Sequence, residues 1–362
     1  MTLEIQKFLR NGGTPEQLKA QYAIKTAVEG PLVLFKYDQI ASPMGERICQ
    51  EARGLILDSE DNWNVVSMGF TKFFNHGEPN AAEIDWSTAT VQEKIDGSLL
   101  TVFFYGNRWH VQTTGTIFAS GQVNGLDMTF KDLFWKTWEE EGYPNPVSFF
   151  DRDFCFMFEL TTPFNRVVVP HKTCRLTLLA IKNKLTLQEA SIKPIILESN
   201  IQGVRSFALQ SMDEVIESFQ TIDPLYNEGY VVVDAQFNRV KVKHPGYLAL
   251  HRLKGEGVSP TPKRILELVR MGEQSEILTY FPEWTESFRA IESKYNTLVV
   301  DLLADYERIK DLPDQKSFAL EAVKTRCSGA LFACRRGTPI RQFLADIQIK
   351  NVLEMLKVAD ED

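Results

Sequence analysis

A chain of 362 residues, 44% hydrophobic and 24% charged, has the composition of a folded globular protein and the length of two domains, which excludes a disordered tail protein and a collagen-like rod. A formal charge of −8, from 40 basic and 48 acidic residues, excludes nucleic-acid binding by bulk charge and leaves only local basic clusters for that purpose. No apolar run approaches the roughly 18 residues that span a bilayer, because Asp301 interrupts the best candidate, Leu298–Leu303. Glu4 lies where an export signal would be apolar, so a cytoplasmic protein is expected. The five cysteines are odd in number and scattered, as expected of reduced thiols. Cys327 and Cys334 have no nearby histidine and read as packed apolar thiols rather than a zinc site.

In chain order, short β-type runs come first: Pro31–Tyr37, Gly54–Leu57, Thr88–Glu93, Leu99–Tyr105, Trp109–Thr113, Phe154–Leu160, Arg175–Ile181 and Gly229–Val233. Gly106-Asn107 between two of them predicts a hairpin turn. Near residue 250 the period changes. Phe288, Ile291, Tyr295, Leu298, Leu302 and Tyr306 fall three and four apart, a helical stripe with Thr285 as its candidate cap. Thr338-Pro339 reads as a cap followed by proline in the first turn, with Phe343, Leu344, Ile347 and Leu353 after it. Gly255–Pro262 reads as a linker. The predicted organisation is α+β: a mixed domain over 1–250, then an all-helical domain over 251–362.

Two common phosphate cradles, Gly-x-x-x-x-Gly-Lys-Ser/Thr and Gly-x-Gly-x-x-Gly, are absent, as is His-Glu-x-x-His. The informative segment is Glu93-Lys-Ile-Asp-Gly97. Lys94 ends a predicted strand before a tight Asp96-Gly97 turn, which would hold its amine in a fixed orientation, as a covalent nucleophile requires. A lysine attacks only when neutral, so its pKa must fall from about 10.4 through burial or nearby positive charge. Standing alone, the motif reads better as a surface lysine beside a turn.

It does not stand alone. Arg53-Gly54 and Lys72-Phe-Phe-Asn75 precede it. Glu159 follows within a β run, then Glu228-Gly-Tyr230 and Lys241-Val-Lys243. In that order the set resembles the covalent nucleotidyltransferases, which comprise ATP-dependent ligases and RNA capping enzymes. Lys72–Asn75, Asn165–Val169, Leu178–Asn183 and Val240–His251 resemble the RNA ligase 1 family of T-even bacteriophages in particular, over roughly residues 30 to 255.

The resemblance implies a nucleotidyltransferase domain of antiparallel sheets, followed by a helical domain that sets RNA specificity. It implies joining of RNA 5′-phosphate and 3′-hydroxyl ends, with ATP and Mg²⁺ (Mn²⁺ able to substitute), through a lysyl-AMP on Lys94 and an adenylated RNA end. In the family the glutamate matching Glu159 bonds the ribose and the one matching Glu228 lies near the metal, directly or through water. Lys72 would contact the outgoing phosphates, assisted by Tyr37, and Arg53, Gly97, Lys241 and Lys243 complete the nucleotide site. The implied partner is single-stranded or nicked-loop RNA, transfer RNA being the family's typical case. RNA repair by a monomer, in a phage-infected bacterial cell if the origin is phage, completes the expectation.

The residues agree with that chemistry. Lys241 and Lys243 alternate on a strand and face one side, where two ammonium groups can stabilise charge on a phosphate; a solvated edge strand is the plain alternative. A carboxylate at Glu159 among Phe154, Phe156, Phe158 and Leu160 predicts a polar task, or an ion pair with a residue such as Arg53. Asp96 reads as turn former or as holder of a metal-bound water. A DNA ligase or capping enzyme would add a β-barrel after Lys243, which the helical period argues against. A catalytically idle RNA-binding protein would be free to lose Lys94, Glu159, Glu228, Lys241 and Lys243. Arg239–Lys254 and Lys324–Arg341 contain no acid, so both are candidate RNA surfaces. Arg335 and Arg336 alternatively end a helix, where cations suit the dipole.

Overall fold

Residues 2–123, 126–164, 169–248, 261–275, 278 and 284–358 are described by the structure, a computed structural model of the chain. Its contacts divide the chain into two units, 1–37 with 43–254 and 38–42 with 255–362. The boundary expected at 250/251 and the linker residues 255–260 lie outside the described residues.

The strands of the first unit are β1 (Ile24–Glu29), β2 (Leu32–Tyr37), β3 (Arg53–Asp58), β4 (Asn64–Ser67), β5 (Phe74–Asn75), β6 (Thr90–Glu93) and β7 (Ser98–Tyr105). After them come β8 (Arg108–Thr113), β9 (Phe154–Thr161), β10 (Arg175–Asn183), β11 (Glu189–Ala190), β12 (Ser206–Phe207), β13 (Gly229–Val233) and β14 (Arg239–Lys243). They form three sheets, ordered β1-β2-β3-β4, β11-β10-β9-β7-β8 and β12-β6-β13-β14-β5. Every pairing is antiparallel except β14 with β5. The β7–β8 hairpin closes at Gly106-Asn107, both with positive φ (53° and 63°), the left-handed pair that a two-residue turn needs.

Period-two alternation explains the layers. In β2, Val33, Phe35 and Tyr37 pack under the N-terminal helices with Ile5, Leu9 and Leu18, while Leu32 and Leu34 face Phe103 and Cys155 of the second sheet. In β9, Phe156, Phe158 and Leu160 pack with Leu133, Phe134 and Trp138 of the helix Phe130–Glu140. Met157 and Glu159 therefore face the other side, towards Phe70, Phe73 and Leu99. In the third sheet Val91, Tyr230, Val232, Val240 and Val242 pack on Val215 of the helix Met212–Ser218. Gln92, Val231 and Lys241, which pair across the strands, are left on the opposite face. One cavity wall thus combines the free face of the third sheet with the Glu159 face of the second.

The second unit contains no strand among its described residues. Phe288, Ile291, Tyr295, Leu298 and Leu302 of the helix Thr285–Ile309 are buried as the stripe predicts. Two cap expectations fail: Trp284 rather than Thr285 occupies the cap of that helix, and Pro339 itself caps Ile340–Asp346. All five cysteines are unpaired, with Cys327 and Cys334 half-buried against the helical core. No described helix is long and apolar enough to cross a membrane.

Candidate active site

Lys94 opens the crossing, residues 94–97, that carries the chain from β6 in the third sheet to β7 in the second. Its N–H donates to the Gly229 carbonyl at 2.9 Å, fixing the crossing to the first residue of β13. Asp96 holds the turn: its carboxylate accepts from the Val169 N–H (2.7 Å) and its carbonyl from His171 Nε2 (2.6 Å). Gly97 is needed for close approach, because a Cβ there would stand 2.6 Å from the Leu160 carbonyl oxygen. That approach sets the crossing beside Glu159.

Lys94 Nζ lies 2.6 Å from Glu228 Oε1, and Lys243 Nζ lies 3.8 Å from the same oxygen. Glu228 is buried between the two ammonium groups. Lys94, Gly97, Glu159, Arg53 and Lys241 line one cavity of about 260 Å³. The Phe73 ring stands between the Arg53 guanidinium (5.4 Å) and Lys241 Nζ (5.8 Å), so one aromatic face spaces two cations of the wall. Arg53 Nη1 is buried with no hydrogen-bond partner among the described residues. Leaving a buried charged donor unmet costs about 1–3 kcal/mol or more, which marks the place of an anionic or hydroxyl-bearing ligand.

Tyr37 and Lys72 stand outside that cavity. Lys72 lines an adjoining one, with its Nζ 5.4 Å from the Tyr37 ring and 5.5 Å from the Phe74 ring. The two cavities share Phe70, Phe73 and Arg239. Reading the sequence did not single out Phe70 or the role of Phe73 as a spacer; Lys72-Phe-Phe-Asn75 carried the signal. Among the described residues no three His, Cys, Asp or Glu side chains form a metal-holding group. The donor set fits an Mg²⁺ carried on phosphate oxygens and water, with Glu228 as at most one protein neighbour.

Burial raises the Glu159 carboxyl from 4.5 to about 8, opposed by the nearby Lys94 charge and helped by Glu228. The folded protein therefore holds this proton more tightly than the unfolded chain. The resulting stability is complete below the ordinary glutamate range and is lost as pH rises through about 8. Glu159→Gln, which cannot ionise, is expected to gain stability relative to the parent between about pH 5 and about pH 8.5, by a few kcal/mol at most, read as a rise in melting temperature. Parallel melting curves across that range would contradict the burial argument.

Two basic stretches look different in space. Arg239 is buried and makes a bidentate ion pair with Glu189 (2.9 and 2.7 Å) over the Phe70 ring, so it is no surface phosphate contact. Arg252 and Lys254 lie outside the described residues, as does most of Asn165–Val169. In the helical unit Lys324 pairs with Glu321 (2.5 Å), Arg326 with Asp301 (3.6 Å) and Arg341 with the Asn296 carbonyl group (2.7 Å). Arg335 lies over the Phe318 ring at 4.3 Å, ending the helix Ser328–Arg335, while Arg336 is exposed. A stretch free of acid in sequence is met by acids from neighbouring turns.

The sequence profile of the RNA ligase family, phage T4 type 1, matches residues 51–247, more than half of the chain. The chain belongs to that family. As a family of RNA ligases it is a family of enzymes, and the expected α+β class agrees with the sheets and helices described. An RNA ligase of Rhodothermus phage RM378 is 26% identical, over 75% of this chain and 77% of its own length. A putative bifunctional polynucleotide kinase/RNA ligase of Autographa californica nuclear polyhedrosis virus is 28% identical over 86% of this chain. The match covers 47% of that viral protein, so this chain spans less than half of its length. Among solved structures, an archaeal ATP-dependent RNA ligase covers 88% of each chain at 13% identity with a TM-score of 0.48, a likeness too low to carry weight.

Proposed function

We propose that this ligase joins RNA 5′-phosphate and 3′-hydroxyl ends with ATP, through an AMP carried on Lys94. The observation that supports this most is the Lys94–Glu228 contact at 2.6 Å in the wall of a cavity that also presents Arg53, Glu159 and Lys241. In the first step Lys94 Nζ attacks the α-phosphorus of ATP. A P–N bond forms, the P–O bond to pyrophosphate breaks, and Glu228 takes the proton from the attacking nitrogen. In the second, an oxygen of the RNA 5′-phosphate attacks the same phosphorus, the P–N bond breaks, and the proton returns to Lys94. In the third, an RNA 3′-hydroxyl attacks the adenylated 5′-phosphate, and AMP leaves.

Each step gathers negative charge at a phosphorus centre, which Lys241 and Lys243 oppose from one strand face. Arg53 is placed for phosphate or ribose oxygens. Glu159, pushed up to about 8 and hence protonated near neutrality, can both donate to and accept from a ribose hydroxyl. Lys72 serves the outgoing phosphates from the adjoining cavity, with the Tyr37 ring 5.4 Å from its Nζ. Mg²⁺, or Mn²⁺ in its place, would be held near Glu228 and would neutralise part of the phosphate charge. RNA specificity is assigned to the helical unit. A transfer RNA broken in its anticodon loop is a substrate of the required chemistry, carrying both ends on one molecule.

The test is incubation with α-labelled nucleotide and Mg²⁺, then with 5′-phosphorylated single-stranded RNA or DNA. ATP is expected to label the protein, GTP is not, and label is expected to pass to RNA. Equal labelling by GTP would favour a capping enzyme, and joining of DNA in preference to RNA would favour a DNA ligase.

A further inference from the structure

The cavity adjoining that of Lys94 is the larger, at about 600 Å³. Arg47, Lys72, Lys182 and Arg239 line it against one carboxylate among its lining residues, Glu189. Arg239 takes up that carboxylate in its bidentate pair, and Arg47 meets Glu51 at 3.4 Å. Lys182 is different. On β10 it pairs across the strands with Cys155 and Glu189, is only 7% exposed, and its side chain makes no close hydrogen bond or ion pair to another described residue. Burial pushes its ammonium below the ordinary lysine range, opposed by the nearby Glu189 carboxylate and helped by the Arg47 and Arg239 charges. Four cationic side chains thus share one lining carboxylate, an excess of positive charge that an arriving phosphate would offset.

In-line displacement indicates which phosphate. When Lys94 attacks, pyrophosphate must leave from the side opposite its nitrogen. In the next step Lys94 is the leaving group, so the RNA 5′-phosphate must enter from that same side. The first anion therefore vacates the place from which the second attacks. A cationic cavity beside the Lys94 wall, with Lys72 already assigned to the outgoing phosphates, has cations to spare.

We infer that Lys182, with Arg47, forms a phosphate subsite that receives the 5′-phosphorylated end of the RNA in the second step. The subsite rests on the proposed lysyl-AMP route. It orients the attacking phosphate while an oxygen–phosphorus bond forms and the Lys94 P–N bond breaks.

The test is Lys182→Met, read in two ways. On unreacted protein, the parent is expected to bind a 5′-phosphorylated oligoribonucleotide at least about tenfold more tightly than its 5′-hydroxyl counterpart, and the variant to lose that preference. In single turnover, labelling of Lys94 by ATP is expected to stay within about twofold of the parent, while transfer to 5′-phosphorylated RNA falls at least about tenfold. Lys182→Arg should restore transfer. Should Lys182→Met fail to fold, Arg47→Gln, at a side chain 60% exposed, is expected to show the same split and decides in its place. Undiminished transfer and preference would overturn the subsite. Equal loss of labelling and transfer would assign the cavity to pyrophosphate alone and overturn it too. A parent that never labels Lys94 but still prefers the 5′-phosphate would leave the subsite standing and remove the lysyl-AMP route.

Discussion

Lys94→Ala is expected to abolish label transfer from ATP to the protein while still sealing RNA that already carries a 5′-adenylate. The first step loses its nucleophile, and among the described residues the other lysine paired with Glu228, Lys243, stands at 3.8 Å. The last step forms a bond between two RNA ends and needs no lysyl nitrogen. Breaking a buried ion pair can cost about 3–5 kcal/mol, but here Glu228 keeps Lys243 at 3.8 Å, so the variant should remain folded. Lys241→Ala and Lys243→Ala provide the contrast. Both should slow sealing of the same pre-adenylated RNA, because their ammonium groups still face the reacting phosphate. Sealing at the parental rate by both would refute their role in charge stabilisation, and persistent labelling of Lys94→Ala would refute the nucleophile.

Gly229→Ala is expected to damage both stability and labelling. Gly229 has φ +138°, and a Cβ there would lie 2.2 Å from the Val242 carbonyl oxygen and 2.7 Å from Lys243 Cα. Such an overlap with backbone cannot be relieved by a side-chain rotation. Either the β13–β14 ladder opens at the Gly229–Lys243 pair, or Glu228 is displaced from between Lys94 and Lys243. A destabilisation of several kcal/mol is expected, with at least a roughly hundredfold loss of labelling from misplacement. Gly45→Ala is the control, since nothing lies within 4 Å of its Cβ and it needs no positive φ. Melting temperature and single-turnover labelling of the two variants measure this. A Gly229→Ala protein that matches the control in both would show that the tight approach carries no consequence.

Features that rest on local pattern were legible in the sequence. The Gly106-Asn107 turn, the buried stripe of Thr285–Ile309 and the strand-like character of β9 each follow from residues within a few positions. Lys94, Glu228, Lys241 and Lys243 stood out as short motifs in a fixed order, while the pairing of β13 and β14 and the Lys94–Gly229 hydrogen bond that bring them together did not. The N-terminal helix Pro15–Tyr22 passed unread although Thr14 and Gln17 form a capping box, a signal that was there to find. What could not be read depends on pairing between distant strands. Lys182 looks like any lysine on an alternating run until β10 is set against β9 and β11. Arg326 looks free of acid until the helix bearing Asp301 packs beside it, whereas the Glu321–Lys324 pair, three residues apart, was there to read.

The most direct measurement is the position of the AMP. The intact chain would be incubated with ATP and Mg²⁺, digested, and its peptides mapped by mass spectrometry. The expected result is AMP on the peptide bearing Lys94, removed when 5′-phosphorylated RNA is added before digestion. AMP on another lysine, or RNA joining with no AMP on Lys94 at any time, would contradict it.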